Sequence, residues 1–447
     1  MNIFILHRDF RIYDNKGLIA LSKEEKEIYL IFILTNEQIK NNKFFNLKSF
    51  QAMIFCLKQL NKIIHINVLK AENELNAIRD LVNQGIIINK IYTNKDFSPY
   101  ALERSQQLKN LAKEIGFIYR EFHDYMLFSP HEIKKDDGSF YQIFTPYWNA
   151  IKTNKFNITI SKTPKFRAMK LPNCEDIKNL KDNDFNLPLT REKVEIIVTR
   201  LSKDYQNQRD KIDLIKNSTS NISTAIKYGI VSIREVHFWA IQRFGYFDNS
   251  FSRQLIWRDF FYQATYNAMI EKKWKFGTNW IKKMNDIIWD NNIENFKKWC
   301  KGETGIPLID AGMNELNNYG TMHNRVRMIC GSYLVKNLNI DWRWGEKYFA
   351  QKLIDYDPIV NQCSWQWVAG TGFDAQQYIR IFNPYLQQIK YDPNFVYINH
   401  FLSRTKNIEE IVDFKKSVQE AKKRYQNLKS NIQIYNIKNN KSQKNKY

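Results

Sequence analysis

The sequence predicts an N-terminal α/β domain built on a doubly wound parallel sheet, followed by an all-α domain. Three observations carry this reading. Short β-rich runs alternate with segments of helical period over the first 130 residues, a stretch without sustained period follows, and from about residue 200 apolar side chains recur at helical spacing. At 447 residues the chain also exceeds what one hydrophobic core organises, so two domains are expected.

The β-rich runs are residues 3–6, 28–34, 64–69 and 86–92, and the helical segments between them cover about 45–63 and 100–115. Such alternation argues for parallel strands joined by crossover helices. No GxGxxG follows the first run, where His7-Arg8-Asp9-Phe10-Arg11 stands instead, so a dinucleotide grip is not predicted there. Residues 131–200 contain Pro146, Pro164, Pro172 and Pro188 and read as a connector between a domain at 1–130 and another at 201–430. Beyond it, Ile222, Ala225, Ile226 and Ile230, and again Val326, Ile329, Cys330, Tyr333 and Leu334, keep the helical period. The last segment, 431–447, has no acidic residue and reads as a disordered basic tail.

Lysine and arginine number 68 against 46 acidic residues, a formal charge of +22. That charge attracts polyanions and points to a phosphate backbone as partner. Abundant Asn and Ile offer a blander origin for the lysines, an AT-rich genome, so charge alone decides nothing. Five scattered cysteines without a CxxC pair suggest neither a disulfide framework nor a metal site, and fit a reducing compartment. The apolar runs are too short to cross a bilayer, so a cytoplasmic protein, a monomer without membrane contact, is expected.

Ten of the eleven tryptophans follow residue 238. Core filling accounts for any single one. Their company suggests more: Trp257 precedes Arg258, Trp342 precedes Arg343, and Trp365-Gln366-Trp367 places two indoles beside a polar cluster. Aromatic faces next to cations suit base stacking with phosphate contact. The run GTMHNRVRM (320–328) sets Asn324, Arg327 and Met328 on one helical face with His323 alongside, and Asp355, Asp357 and Asn361 follow about one helix later. A buried arginine wants a carboxylate, and Asp355 is a candidate for Arg327.

The runs KGETGIPLIDAGMNEL (301–316), MHNRVRM (322–328), IDWRWGE (340–346), LIDYDPIVNQCSWQWVAGTG (353–372) and RIFNP (380–384) together resemble the flavin-binding half of the photolyase/cryptochrome family. The resemblance is close over about 200–390 and looser at HRDFRIYDN (7–15). Within the family the pattern is most similar to the class I enzymes that repair cyclobutane pyrimidine dimers in DNA. It implies FAD in the helical domain, an antenna-binding N-terminal domain, and damaged double-stranded DNA as the partner.

By the same resemblance, Thr219, Ser220 and Ser223 hold the FAD phosphates, with Tyr205 a weaker contact. Asn221 stands where relatives carry Arg, which puts one phosphate-side contact in doubt. Asp355, Asp357 and Arg327 flank the isoalloxazine and ribose, and Asn361 faces flavin N5, where a neutral amide adds no charge. Trp365, Trp342 and Trp289 match an electron-transfer chain from the surface to oxidised flavin. Trp257 and Trp367 match the walls around a flipped dimer, Asn324 and Met328 its floor, and Arg258, Arg325 and Arg380 the phosphate clamps. Gln254 departs from the Glu that many dimer-repairing relatives place there. The resemblance also implies a second chromophore of folate or deazaflavin type, for which Glu103 is a carboxylate candidate. No metal is expected.

Other readings meet specific residues. An animal-type (6-4) photoproduct enzyme places histidines where Asn324 and Met328 stand, and the DASH-type pattern replaces the second tryptophan, retained here as Trp367. A cryptochrome photoreceptor carries a changed residue at the position of Asn361 and a long extension, neither of which this sequence shows. A cofactor-free nucleic-acid binder would lack a flavin absorption band.

Overall fold

The computed structural model describes residues 1–153, 158–183, 185–375, 379–402 and 408–428, with the side chain at 216 left aside. The expected basic tail, 431–447, lies outside the described residues. The chain divides into two compact units. One comprises Met1–Gln208, Thr219–Phe276 and Ala350–Val360; the other comprises Arg209–Ser218, Gly277–Phe349 and Asn361–Tyr447.

The first unit is organised by a parallel sheet of strands β1 (Asn2–Ile5), β2 (Glu27–Thr35), β3 (Asn67–Ala71), β4 (Lys90–Asn94) and β5 (Ile118–Phe122), in the order β3-β2-β1-β4-β5. The order reverses between β1 and β4, the arrangement of an α/β doubly wound sheet. One face is sealed by Ile3, Ile5, Ile31, Ile33 and Ile91 against Ile78 and Leu81 of the Glu74–Asn83 helix and Leu108 and Leu111 of the Pro99–Ile115 helix. On the other face Gly17, in the Lys16–Glu24 helix, lies so close to the sheet that a β-carbon there would come within 2.9 Å of the Phe4 ring. Only hydrogen fits at that approach.

Two stretches of the chain fold where the sequence pattern was weak. The apolar run at 86–92 enters β4 only at Lys90, because residues 84–86 turn back onto the carbonyls of the Glu74–Asn83 helix. Within 131–200 the chain forms helices Phe144–Thr153 and Arg191–Thr199, and strand β6 (Arg167–Ala168), which pairs with β2. The first unit also holds the long Ser250–Ile270 helix, started by an Asn249 side-chain cap.

The second unit is helical. Its helices Pro307–Tyr319 and Asn324–Ser332 pack on each other with Leu308, Met313, Val326 and Ile329 buried, and the Trp342–Lys352 helix buries Trp342. Pro307 opens the first of these at the position where a missing N–H costs nothing. A π-helical turn, Tyr333–Asn337, continues the Asn324 helix and buries Lys336, whose Nζ donates to the Ala369 carbonyl at 2.6 Å. That carbonyl closes the Pro358–Ala369 helix, so a buried N–H donor meets its negative end. Among the described residues no helix is long and apolar enough to cross a membrane.

Candidate functional site

Side chains singled out in the sequence fall into both units.

In the first unit the motif after β1 anchors carboxylates. Arg8 donates to Asp357 Oδ2 and Asp96 Oδ1, both at 2.9 Å, and lies over the Tyr125 ring at 4.4 Å. Asp357 Oδ2 also accepts from the hydroxyls of Tyr125 and Tyr262, while its Oδ1 accepts from the N–H groups of Ile359 and Val360. Burial raises the cost of the charge, but Arg8 and Arg258 outweigh it and hold the carboxyl below its usual range. Asp357, expected to flank the flavin, therefore has both oxygens engaged by the protein and works as an anchor for its segment. The carbonyls just before half-buried Asp355 are pinned too: Leu353 accepts from Asn46, and Ile354 from Ser49 and Lys227. Burial lowers the Lys227 ammonium to about 7 against the pull of Asp355.

Trp257, on the Ser250–Ile270 helix, is half-buried and stacks face to face on Phe144, with centroids 3.8 Å apart and planes 6° apart. The guanidinium of exposed Arg253 lies 5.5 Å from the Phe144 centroid. Neither Phe144 nor Arg253 was singled out from sequence; the only signal for Phe144 was an aromatic cluster inside a segment read as connector. Gln254 turns its amide back to the Ser250 carbonyl at 3.2 Å, one helical turn away. Arg258 corrects the sequence reading. Expected as a phosphate clamp, it is enclosed at 12% side-chain exposure, lies over the rings of Tyr125 at 4.0 Å and Tyr262 at 4.9 Å, and donates to the Tyr125 carbonyl at 2.8 Å. The next residue, Asp259, accepts from Leu127 and Phe128 N–H, and burial pushes its carboxyl up to about 7.

Thr219 and Ser220 are half-buried, and Ser223 is exposed at the first position of the Ser223–Tyr228 helix. Thr219 Oγ1 bonds the Asn221 carboxamide at 3.2 Å. Asn221 has φ 52°, left-handed backbone that Asn tolerates better than Arg, which gives its presence there a conformational reason. Tyr205 is buried edge-on against Phe251. Glu103 lines a small crevice with Glu37, Glu74, Tyr100 and Arg104, beyond the carboxyl ends of β2, β3 and β4.

In the second unit His323 caps the Asn324–Ser332 helix. Its Nδ1 accepts from Arg325 N–H at 3.1 Å, so the proton sits on Nε2, which faces Ser218 Oγ at 3.1 Å. Exposed Asn324 and half-buried Met328 stand one turn apart and touch, Nδ2 to Sδ at 3.7 Å. Arg325 pairs with Asp210 and lies 4.5 Å from the Tyr391 ring centre. Arg327 Nε donates to the Met322 carbonyl at 2.8 Å. Buried Asn361 donates through Nδ2 to Glu346, to its carbonyl at 3.1 Å and its Oε1 at 3.2 Å.

Half-buried Trp367 is held through its edge, Nε1 to Asp374 Oδ2 at 3.3 Å, and Arg380 lies 5.3 Å from its ring centre. Arg380 thus joins an aromatic wall. Trp365 is buried against Phe349 and Trp299. Trp342 is buried and donates to Asn279 Oδ1 at 2.8 Å, and Trp289 packs half-buried beside Met284, Ile287 and Tyr425.

One unit thus carries a doubly wound parallel sheet and the other is helical. Residues 2–167 match the DNA photolyase family and residues 251–443 match the FAD binding domain of DNA photolyase. A deoxyribodipyrimidine photo-lyase of Agrobacterium fabrum is 32% identical over 76% of this chain and 74% of its own length. An archaeal photolyase from Sulfolobus tokodaii, solved with two FAD molecules, superimposes with a TM-score of 0.84 at 29% identity, covering 96% of this chain and all of its own. A bacterial class III photolyase from Agrobacterium tumefaciens gives a TM-score of 0.81 at 26% identity, covering 96% and 97%. The chain belongs to the DNA photolyase family. FAD is its cofactor.

The donor set suits that group. Among the described residues the hydroxyls of Ser220 and Ser223 and the Oδ1 of Asn361 make no hydrogen bond. The hydroxyls can donate to phosphate oxygens, and the amide oxygen can accept from a ring N–H.

Proposed function

We propose that this protein repairs cyclobutane pyrimidine dimers in DNA by light-driven electron transfer. Bound FAD, when reduced, supplies one electron on absorbing blue or near-ultraviolet light and takes it back once the cyclobutane ring has opened. The chain's own residues bind, orient and exclude water. Ser220 and Ser223, with Thr219, hold the phosphates. Asn361 would offer a neutral carbonyl oxygen to the flavin, and Asp355 and Arg327 would help hold its ring and ribose. Trp257, Asn324, Met328 and Trp367 are the side chains proposed to meet an extruded dimer. Arg325 and Arg380 take DNA phosphates, and Trp365 with Trp342 and Trp289 returns oxidised flavin to its reduced state.

The observation that carries this reading is Asn361: a buried amide, fixed through Nδ2 on Glu346, with its oxygen left to accept. A carboxylate there would change which flavin redox state persists. The motifs favour a class I assignment, with residues 1–130 as antenna domain, 131–200 as connector, 201–430 as flavin and DNA domain and 431–447 as basic tail. The antenna is a folate or deazaflavin type of chromophore, and Glu103 at the crevice is the residue to examine for it.

Lesion preference is the deciding test. Reduced protein under blue light is expected to restore duplex DNA carrying one cyclobutane thymine dimer and to leave a (6-4) photoproduct untouched. Repair of the (6-4) lesion alone, or of neither, overturns the proposal. Gln254→Glu adds a group that can offer a proton to the thymine carbonyls, and it is expected to raise the repair yield per photon. An unchanged yield would make that position a bystander.

A further inference from the structure

The last helix among the described residues runs over 414–428, in the second unit. It follows Asp413, whose carboxylate accepts from Lys416 N–H at 2.9 Å. One side is buried, with Phe414, Ser417, Ala421 and Tyr425 recurring at three- and four-residue spacing. Three hydrogen bonds fix the helix in place. Ser417 Oγ accepts from Asn337 Nδ2 at 2.8 Å, Arg424 Nη2 donates to the Lys336 carbonyl at 2.8 Å, and the Tyr425 hydroxyl donates to the Ala369 carbonyl at 2.9 Å. The outer side is therefore held on a firm mount.

That outer side carries Lys415, Lys416, Gln419, Lys422, Lys423 and Gln426, all exposed. The single carboxylate within the helix, Glu420, stands at the edge of this face. Among the described residues none of the four lysine side chains makes an ion pair or a hydrogen bond. Exposed lysines elsewhere do find a carboxylate, as Lys297 finds Glu294 at 2.9 Å and Lys273 finds Glu271 at 2.6 Å. The sequence beyond 428 adds five lysines and no acidic residue, so the local sign is unopposed. Lys415 and Lys422, like Lys416 and Lys423, are two helical turns apart, about 10.5 Å along the axis. That rise matches about three phosphate steps of one DNA strand.

The chemistry of the face selects among polyanions. A basic helix that enters a bilayer surface needs a free apolar side, and here that side is buried in the unit. A protein interface centres on aromatic or aliphatic anchors, and the exposed residues of this helix include none. Contact with a phosphodiester backbone asks only for unpaired cations within reach of successive phosphates. We propose that the 414–428 helix is a second contact for nucleic acid, a lysine face that binds the duplex backbone without regard to sequence or lesion. It goes beyond the repair reading, because Arg325 and Arg380 are no part of it and the lesion plays no role. Four phosphates neutralised there release their counterions and hold the protein on undamaged duplex between encounters with damage.

The test is fluorescence anisotropy of the FAD-loaded full chain on undamaged duplex, in the dark, across a salt series. One variant carries Lys415→Gln, Lys416→Gln, Lys422→Gln and Lys423→Gln together. A control removes the same charge from four exposed lysines of the first unit, Lys23→Gln, Lys26→Gln, Lys40→Gln and Lys113→Gln. At about 0.9 per phosphate contact, the slope of log K against log salt is expected to flatten by about 2 to 4 in the helix variant and by less than about 1 in the control. Affinity in ~0.1 M salt should fall at least about tenfold in the helix variant alone. A helix variant within about 1 of the wild-type slope, or equal flattening in the control, overturns the proposal. At saturating DNA the helix variant is expected to repair a bound dimer with the wild-type yield per photon; a lower yield would place these lysines at the lesion and overturn it too. Wild-type protein that shows the lysine-dependent slope yet repairs no cyclobutane dimer would refute the repair reading and leave this surface standing.

Discussion

His323 shows what one neutral side chain does for the helix that carries Asn324 and Met328. As a cap acceptor it must leave Nδ1 unprotonated, and burial among Arg209, Arg325 and Arg327, opposed by Asp210, pushes its pKa down to about 4. Between pH 6.5 and about 4 the unfolded chain binds a proton that the folded chain refuses, so stability is full above 6.5 and is lost as pH falls. His323→Asn keeps a capping oxygen and removes the titration. We expect the fall in unfolding free energy from pH 6.5 to 4.5, measured by denaturant titration, to shrink by roughly 1–3 kcal/mol in the variant. An identical fall would assign the pH dependence to His123 and His237, whose pKa values burial also lowers to about 4. From sequence His323 was legible only as a neighbour in a motif. Its cap role depends on a backbone N–H that no spacing rule names. Arg258 was misread for a related reason: an arginine after a tryptophan looks like a phosphate contact, and only the fold brings Tyr125 and Tyr262 against it.

Among the elements of the first 115 residues, the strands were readable as short apolar runs largely buried on both faces, and the two long helices by one regularly spaced buried face. Residues 131–200 were not. The helix Phe144–Thr153 holds Pro146 and ends in Lys and Thr, so its apolar face of Phe144, Tyr147, Trp148 and Ile151 is short and its period brief. The contact between the Trp342–Lys352 and Pro358–Ala369 helices was likewise invisible, since it depends on a missing side chain. A β-carbon at Gly345 would lie 2.3 Å from the Trp365 ring and 2.6 Å from Leu334. Gly345→Ala is therefore expected to lower stability by about 1–3 kcal/mol through overpacking and to displace Trp365. Thermal unfolding with flavin photoreduction reads both effects; a wild-type melting temperature with intact photoreduction would contradict the packing described. The loop that brings Asp210 to Arg325 sets a further expectation. Asp210→Asn frees the guanidinium for phosphate, so duplex affinity should rise and the slope of log K against log salt should steepen by about 0.9. Fluorescence anisotropy across a salt series measures this, and an unchanged slope would remove Arg325 from the clamp.

For the whole molecule, the charge of +22 supplies attraction to any nucleic acid, while the proposed function gives the choice of lesion to a small set of uncharged and aromatic groups: Trp257, Asn324, Met328 and Trp367. Affinity for undamaged duplex is expected to collapse with salt, and the preference for a dimer-bearing site to survive it. On the proposed function, reduced FAD in this chain donates an electron to a thymine dimer and recovers it. The most direct measurement is a flash series on reduced protein bound to a duplex with one cyclobutane dimer, following thymine absorbance and flavin absorbance together, with a dark control. The account predicts thymine recovery only in the light, with the flavin in the same redox state before and after each turnover. Recovery in the dark, or repair that consumes one reduced flavin per dimer, would contradict it.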